Sequence, residues 1–333
     1  MEHDGTTPWS QPGWLKEARA WIQEKLEAQG LSLSGAIEQP HIRPWSTVLR
    51  VPTPSGDVYF KATLPRLKHE VAVTAALAEW RPDCVLPVLA VDLERGWMLQ
   101  PDGGTTLREL VRESGDFRHW DSVLPFYARF QIEMVDHVTR LLALGEPDRR
   151  LEALPSQYEV LLEDKEMLRI DRENGISSAE YGRLRALAPR VAHMCEELAS
   201  YRVPETLNHG DFHDANIFVQ DGRQLFFDWG DSAISHPFYS LRTTFVSLYY
   251  SLQIDEGAPE HDHLRDVYLA AWEGYEPPHR LRAAFKLAQR LAAVNGALGW
   301  YNVLSRLHEA AKEEYAVPVP ALLREFLEMG NEG

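Results

Sequence analysis

Apolar positions in the first hundred residues change period twice. Over 12–30, Trp14, Leu15, Ala18, Trp21, Ile22 and Leu26 recur at helical spacing and Gly30 ends the run, which predicts one amphipathic helix. Three short runs follow at 34–38, 46–51 and 57–62 that read as strands, the last two joined by Pro52-Thr53-Pro54-Ser55-Gly56, a strong turn signal. Helical spacing returns over 67–80, and 85–92 and 96–100 read as two further strands. The order predicts a five-stranded antiparallel sheet with one packed helix.

Beyond Pro101-Asp102-Gly103-Gly104 the pattern becomes mainly helical, over 106–113, 121–144, 157–173 and 178–200. A loop, strand, turn and strand interrupt it at 207–229. Helical runs then resume at 237–252, 263–273, 278–311 and 320–328, with Gly296 and Gly299 marking where the long one could break. The fold class expected is α+β. A small mixed lobe would occupy residues 1–101 and a larger helical lobe residues 102–333.

Composition narrows the class. With 333 residues and 44% hydrophobic content, the chain can bury two cores. No apolar run is long enough for a bilayer, and the start, MEHDGTTPWSQPGW, is polar and acidic, so we expect neither a secretory signal nor a membrane span. Cys84 and Cys195 lie in no metal or redox spacing and fit reduced thiols in the cytoplasm. The net charge of −16 is uneven: residues 1–100 hold 10 basic and 12 acidic side chains, the remainder 24 and 38. Such a field disfavours nucleic acid and anionic membrane as partners. It serves solubility first, and suits an amine-bearing small molecule second.

The chemistry concentrates in LNHGDFHDANIFVQDGRQLFFDW, residues 207–229. Phosphoryl transfer from a nucleotide needs a carboxylate at the attacking hydroxyl and oxygen ligands for Mg²⁺ at the phosphates. Asp211 can be the first, while Asn216 and Asp228 can be the second. The spacing Asp-x-x-x-x-Asn, then Asp after a short hairpin, is that of a kinase catalytic loop. Alone, Asp211 would more often be a turn or cap residue; its register with Asn216 and Asp228 makes the catalytic reading the stronger.

Lys61 stands on the third strand, on the face opposite Val58, Phe60 and Ala62. By itself it reads as a solvated lysine. Glu70 alters that, because it shares a helix face with Leu67, Val73 and Leu77, and a carboxylate there needs a cation. Lys61 is the nearest candidate, with Glu79 as the fallback acid. His209 reads as a structural residue of its turn. Residues 97–101, including Leu99 and Gln100, would join the lobes and bond an adenine through the main chain. No glycine-rich phosphate loop is present; Ser46 or Arg43 could approach the phosphates or be ordinary surface residues.

HGDFHDAN and FFDWGDS, with the strand lysine in VYFKA and the segment WMLQPDGG, resemble the aminoglycoside phosphotransferase family over roughly residues 35–310. That resemblance implies a protein-kinase-like fold. It also implies transfer of the γ-phosphate of ATP or GTP to a hydroxyl on a small acceptor, with Mg²⁺ as cofactor. By it, Asp211 matches the catalytic aspartate, Asn216 and Asp228 the metal ligands, Lys61 the phosphate lysine and Glu70 its partner. The acceptor stays open. Phe238, Tyr239, Trp272, Trp300 and Tyr301 could wall a pocket but fit core positions better. Asp255, Glu256, Asp262 and Asp266 could meet an amine or be a solvated charge run. Two rival readings are a kinase-fold nucleotide binder without turnover, and a metal-dependent hydrolase built on His209, Asp211, His213 and His236.

Overall fold

The computed structural model describes residues 7–329. The first six residues, on which part of the polar-start reading rests, lie outside that range. In chain order the elements begin with α1 (Trp14–Ala28), β1 (Glu38–Ile42), β2 (Ser46–Thr53), β3 (Gly56–Thr63), α2 (His69–Trp80), β4 (Ala90–Asp92) and β5 (Trp97–Pro101). Helices α3 (Leu107–Ser114), α4 (Trp120–Met134), α5 (Val138–Ala143), α6 (Leu154–Glu163), α7 (Ser178–Ala186) and α8 (Ala188–Ala199) follow. Next come β6 (Thr206–Asn208), β7 (Ile217–Gln220), β8 (Arg223–Phe226) and β9 (Ala233–Ser235). The chain ends with α9 (Ser240–Leu252), α10 (Pro259–Leu269), α11 (Pro278–Leu304), α12 (Glu309–Tyr315) and α13 (Pro318–Met329).

Two compact units result. One comprises the chain up to Thr106 together with 216–230 and 306–311; the other comprises 107–215, 231–305 and the chain from Lys312. The first unit holds the antiparallel sheet, in the order β1-β2-β3-β5-β4. One face of it packs on α1. Trp14 and Trp21 from the helix meet Phe60 and Trp97 from the sheet with ring centroids 5.7–6.1 Å apart, mostly edge to face. The hairpin β7–β8 belongs to this unit: Val219 N–H donates to Thr105 O (2.9 Å), and Val85 bridges Phe226. At Gly103 any Cβ would fall 2.0 Å from the Phe218 ring, so only glycine admits the hairpin at that distance.

The second unit is helical, with β6 and β9 as a two-stranded insert. Helix α11 is its spine and packs on α13, where Leu322 meets the bare Cα of Gly296. Gly299 lies against Arg149, and α11 continues through both glycines instead of breaking. Among the described residues no helix is long and apolar enough to cross a membrane.

Several boundaries differ from expectation for identifiable reasons. The first strand lies at Glu38–Ile42, not 34–38. It is an edge strand, so the missing N–H of Pro40 costs no ladder bond, and the register slips between Glu38 and His41. The run 85–92 shortens to Ala90–Asp92. The helix expected over 178–200 divides at Leu187 because Pro189 opens a new first turn. The long helix ends at Leu304, not at 311, and the run 157–173 is helical only to Glu163.

The aromatic cluster on α1 and β3 carries the stability of the first unit. Phe60 is fully buried, and Phe60→Ala should lower unfolding free energy by about 3–5 kcal/mol. Urea titration followed by tryptophan fluorescence will measure it.

Candidate active site

In the first unit the Lys61 ammonium lies 2.5 Å from Glu70 Oε1 and 2.6 Å from Asp228 Oδ1. Strand alternation explains the start of this: Val58, Phe60 and Ala62 enter the aromatic core, so Lys61 leaves by the other face. Helix α2 meets that face through Glu70, which is buried with Val73 and Leu77 on the helix and Leu67 in the turn before it. The side chains of Lys61 and Glu70 are 17% and 4% exposed. Burial alone would discharge the lysine. The Asp228 and Glu70 carboxylates outweigh it, and the ammonium holds its proton well above the ordinary lysine value. For Glu70, burial pushes the carboxyl upward and Lys61 pulls it back.

Asp228 comes from the far end of the β7–β8 hairpin and takes a left-handed backbone, φ +63°. Such a conformation is uncommon outside glycine and marks a position held by its surroundings. Gly230 follows; a Cβ there would meet Glu70 Oε2 at 3.1 Å, so the chain passes directly over the buried glutamate. Asn216 is buried and stands beside the same hairpin end, its carbonyl accepting from Phe227 N–H at 3.3 Å. Register therefore places Asn216 and Asp228 next to each other. Asn216 and the 45%-exposed Asp228 carboxylate are hard oxygen donors of the kind Mg²⁺ prefers. The fit to that ion is good.

The second unit carries Asp211. Strand β6 pairs with β9, Asn208 opposite Ala233, and delivers the loop His209-Gly210-Asp211. Asn208 Oδ1 accepts from Gly210 N–H (2.9 Å) and from Ser240 Oγ (3.1 Å). Gly210 has φ +78°, and a Cβ would fall 2.0 Å from Asp231 O, so no other residue fits. Below the loop, Phe212 stacks on Tyr127 with centroids 3.7 Å apart, and His209 N–H donates to the Tyr127 hydroxyl (3.0 Å). Arg108 Nε (2.7 Å) and Ser251 Oγ (2.5 Å) donate to the buried Asp214 carboxylate, which anchors the stretch after Asp211.

Asp211 has a histidine partner. His213 Nε2 lies 3.2 Å from Asp211 Oδ2, while His213 Nδ1 accepts from Ala215 N–H (3.1 Å). That second bond assigns the proton to Nε2, where it points at the carboxylate. Burial opposes a charge on His213, but Asp211 overrides it and moves the pKa upward from 6.5.

The sequence-expected residues thus separate into groups. Lys61, Glu70 and Asp228 meet, Asn216 borders Asp228, and Asp211 sits on its own loop five positions before Asn216. Leu99 is fully buried, and its carbonyl accepts from Leu89 N–H (2.8 Å) inside the sheet. Gln100 is buried and donates to Leu86 O (3.3 Å). Ser46 is buried at the start of β2, opposite Thr63. Glu79, the fallback partner for Lys61, is not needed.

Phe238, Tyr239 and Trp272 are core residues. Asp262 and Asp266 belong to a surface network with Arg265 and Arg282, which holds Asp266 down to about 2. The four-residue ligand set of the hydrolase reading is not assembled, since no group of three metal-binding acids, histidines or cysteines occurs among the described residues. Sequence reasoning missed His41. It occupies the register row of Val48 and Lys61, and its pKa feels both Lys61 and Asp228. The misplaced first strand hid it. Arg108 was also missed, because nothing in its helix pattern marks a partner in a loop over a hundred positions later.

A family model for the "phosphotransferase enzyme family" matches residues 37–285. A search of curated sequences returns no match. Among solved structures, the chain is similar to an ethanolamine kinase of Plasmodium vivax, with TM-score 0.61, 12% identity, and 96% of this chain and 91% of that one covered. It is similar also to a choline kinase of Cryptosporidium parvum, with TM-score 0.63, 13% identity and coverage of 95% and 96%. A third is a putative aminoglycoside phosphotransferase of Ralstonia eutropha, with TM-score 0.54, 13% identity and coverage of 96% and 98%. At these identities the likeness is one of fold, and that fold is kinase-like.

The His213–Asp211 contact makes a prediction independent of any activity. By NMR, His213 should titrate above 6.5 in the wild type and fall toward or below it in Asp211→Asn. Because the folded pKa is raised, the pair's stabilisation is complete below pH 6.5 and is lost as pH rises through the folded value. A stability-versus-pH curve should show that step, and Asp211→Asn should remove it.

Proposed function

Since this chain belongs to the phosphotransferase enzyme family, we propose that it transfers the γ-phosphate of ATP or GTP to a hydroxyl of a small molecule, with Asp211 as the catalytic carboxylate. The observation that carries this reading is the Lys61 ammonium held between a helix glutamate and the hairpin aspartate. Two carboxylates fix the position of that ammonium and keep it charged at every physiological pH. It would meet phosphate oxygens as a permanent cation.

The acceptor oxygen forms a bond to the γ-phosphorus as the bond from that phosphorus to the β–γ bridging oxygen breaks. The electron pair leaves with the nucleoside diphosphate, and the hydroxyl proton passes to Asp211 late in the step. His213 donates to one oxygen of Asp211, which directs the carboxylate and leaves its other oxygen for the hydroxyl. Asn216 and Asp228 would hold Mg²⁺, which when bound neutralises charge on the phosphates. Gly210 and the Tyr127–Phe212 stack keep the loop from relaxing, so the geometry is prepared before substrate arrives. The unequal charge of the chain supports an acceptor drawn from small polar metabolites rather than polyanions.

Coupled detection of nucleoside diphosphate against a panel of hydroxyl compounds tests the reading. Asp211→Ala should lower kcat about 10²–10⁴-fold and leave Mg-nucleotide affinity within about threefold. Lys61→Met should instead weaken nucleotide binding and turnover together, by about 10²–10³-fold in kcat/KM. Nucleotide binding without turnover on any acceptor, unchanged by Asp211→Ala, would favour a silent kinase fold.

A further inference from the structure

One buried cation has no part in the roles given so far. Arg149 is 5% exposed, and among the described residues its guanidinium makes neither a hydrogen bond nor an ion pair. Its place is well defined. Arg149 N–H donates to Ile234 O (2.9 Å), Ile234 N–H donates to Pro147 O (2.9 Å), and Asp148 bridges Ile234, so 147–149 runs beside β9. Strand β9 pairs with β6, which delivers Gly210 and Asp211, and Gly210 packs on the carbonyl of Asp231. On its other side the guanidinium rests on α11: a Cβ at Gly299 would lie 3.2 Å from Arg149 Nη1 and 3.7 Å from Cζ. A side chain there would crowd the guanidinium, and a glycine weakens the middle of a helix.

An arginine cannot shed its charge, and a buried charge without a partner destabilises the fold that contains it. Burial moves Arg149 below the ordinary arginine value, and Asp231 and Glu146 counteract this only through space. A hydrophobic residue would serve the core better, so the cation requires another reason. We infer that Arg149 recognises an anionic group, a carboxylate or a phosphate, carried by the hydroxyl compound that accepts the phosphoryl group. The planar fork of a guanidinium matches two oxygens of such a group at once. Because Coulomb energy falls with distance, an anion in contact outweighs carboxylates that do not touch. The inference rests on the phosphotransferase reading for the word acceptor, and on the local geometry alone for the anion.

The test therefore begins without turnover. Wild type, Arg149→Met and Arg150→Met are followed by thermal shift and calorimetry with γ-hydroxybutyrate, glycerol phosphate, butanediol and aminobutanol at equal millimolar concentration. Arg150, already paired with Asp148 (2.7 Å), controls for lost charge. We expect γ-hydroxybutyrate or glycerol phosphate, whichever class fits, to bind wild type and Arg150→Met, with affinity at least tenfold lower in Arg149→Met. The two neutral or cationic probes should not distinguish the variants. Arg149→Met itself should melt no lower than wild type. If no anionic probe binds wild type, or if its affinity survives in Arg149→Met, the inference is overturned. The same holds if Arg149→Met melts markedly lower, which would make the residue structural. A turnover arm separates the two readings. With an anionic acceptor, Arg149→Met should raise acceptor KM at least tenfold with kcat within about threefold. Absence of nucleotide consumption in every arm counts against the phosphotransferase reading and leaves the binding result standing.

Discussion

A lysine ammonium enclosed by two carboxylates is the constraint around which the first unit is organised. Isolated, Lys61 would be discharged by burial; Glu70 and Asp228 together keep it charged, while burial raises the Glu70 carboxyl and Lys61 draws it back. Each partner must arrive from a different element. Strand β3 supplies the lysine, α2 the glutamate, and a hairpin more than a hundred positions later the aspartate. The aromatic seal of α1 against the sheet keeps β3 in place, and Gly103 and Gly230 let the hairpin come close enough. Replacing Lys61 would leave Glu70 buried without its cation.

The Asp211 loop of the second unit solves a different problem. It must expose one carboxylate while denying the chain around it any freedom. Asn208, Thr244 and Arg108 each bind a different residue of the loop, from Gly210 to Asp214, and Tyr127 supports it from below. Asp211 is thereby left 39% exposed between the buried His209, Phe212 and Asp214. Such a loop is prepared for a partner that comes from solution. A helical scaffold of buried aromatics, in which Phe238, Tyr268 and Trp272 pack edge to face or tilted, gives it rigidity.

Much of this was legible in the residues. Spacing alone placed Asp211, Asn216 and Asp228 in one segment, and helical periodicity put Glu70 on the packing face where only a cation could join it. The centre of the sheet was legible because β2 and β3 alternate and a Pro-Ser-Gly turn joins them. What escaped has physical causes. Pro40 disguised an edge strand, since prolines are rare in sheets except where no ladder bond is lost, and with it went His41. Gly296 and Gly299 look like helix breaks until packing partners are known. Arg108 and Arg149 belong to no pattern: each acquires meaning only from a contact, or a missing contact, that folding creates.

The most direct measurement of the central interaction is nucleotide affinity as a function of Mg²⁺ in the wild type and in Asp228→Asn. If Asp228 both braces Lys61 and helps hold the ion, Mg²⁺ should tighten nucleotide binding in the wild type. Asp228→Asn should then lose most of that dependence while keeping its metal-free affinity within about threefold. An unchanged Mg²⁺ dependence in the variant would contradict the assignment of Asp228, and with it the phosphate-binding role proposed for Lys61.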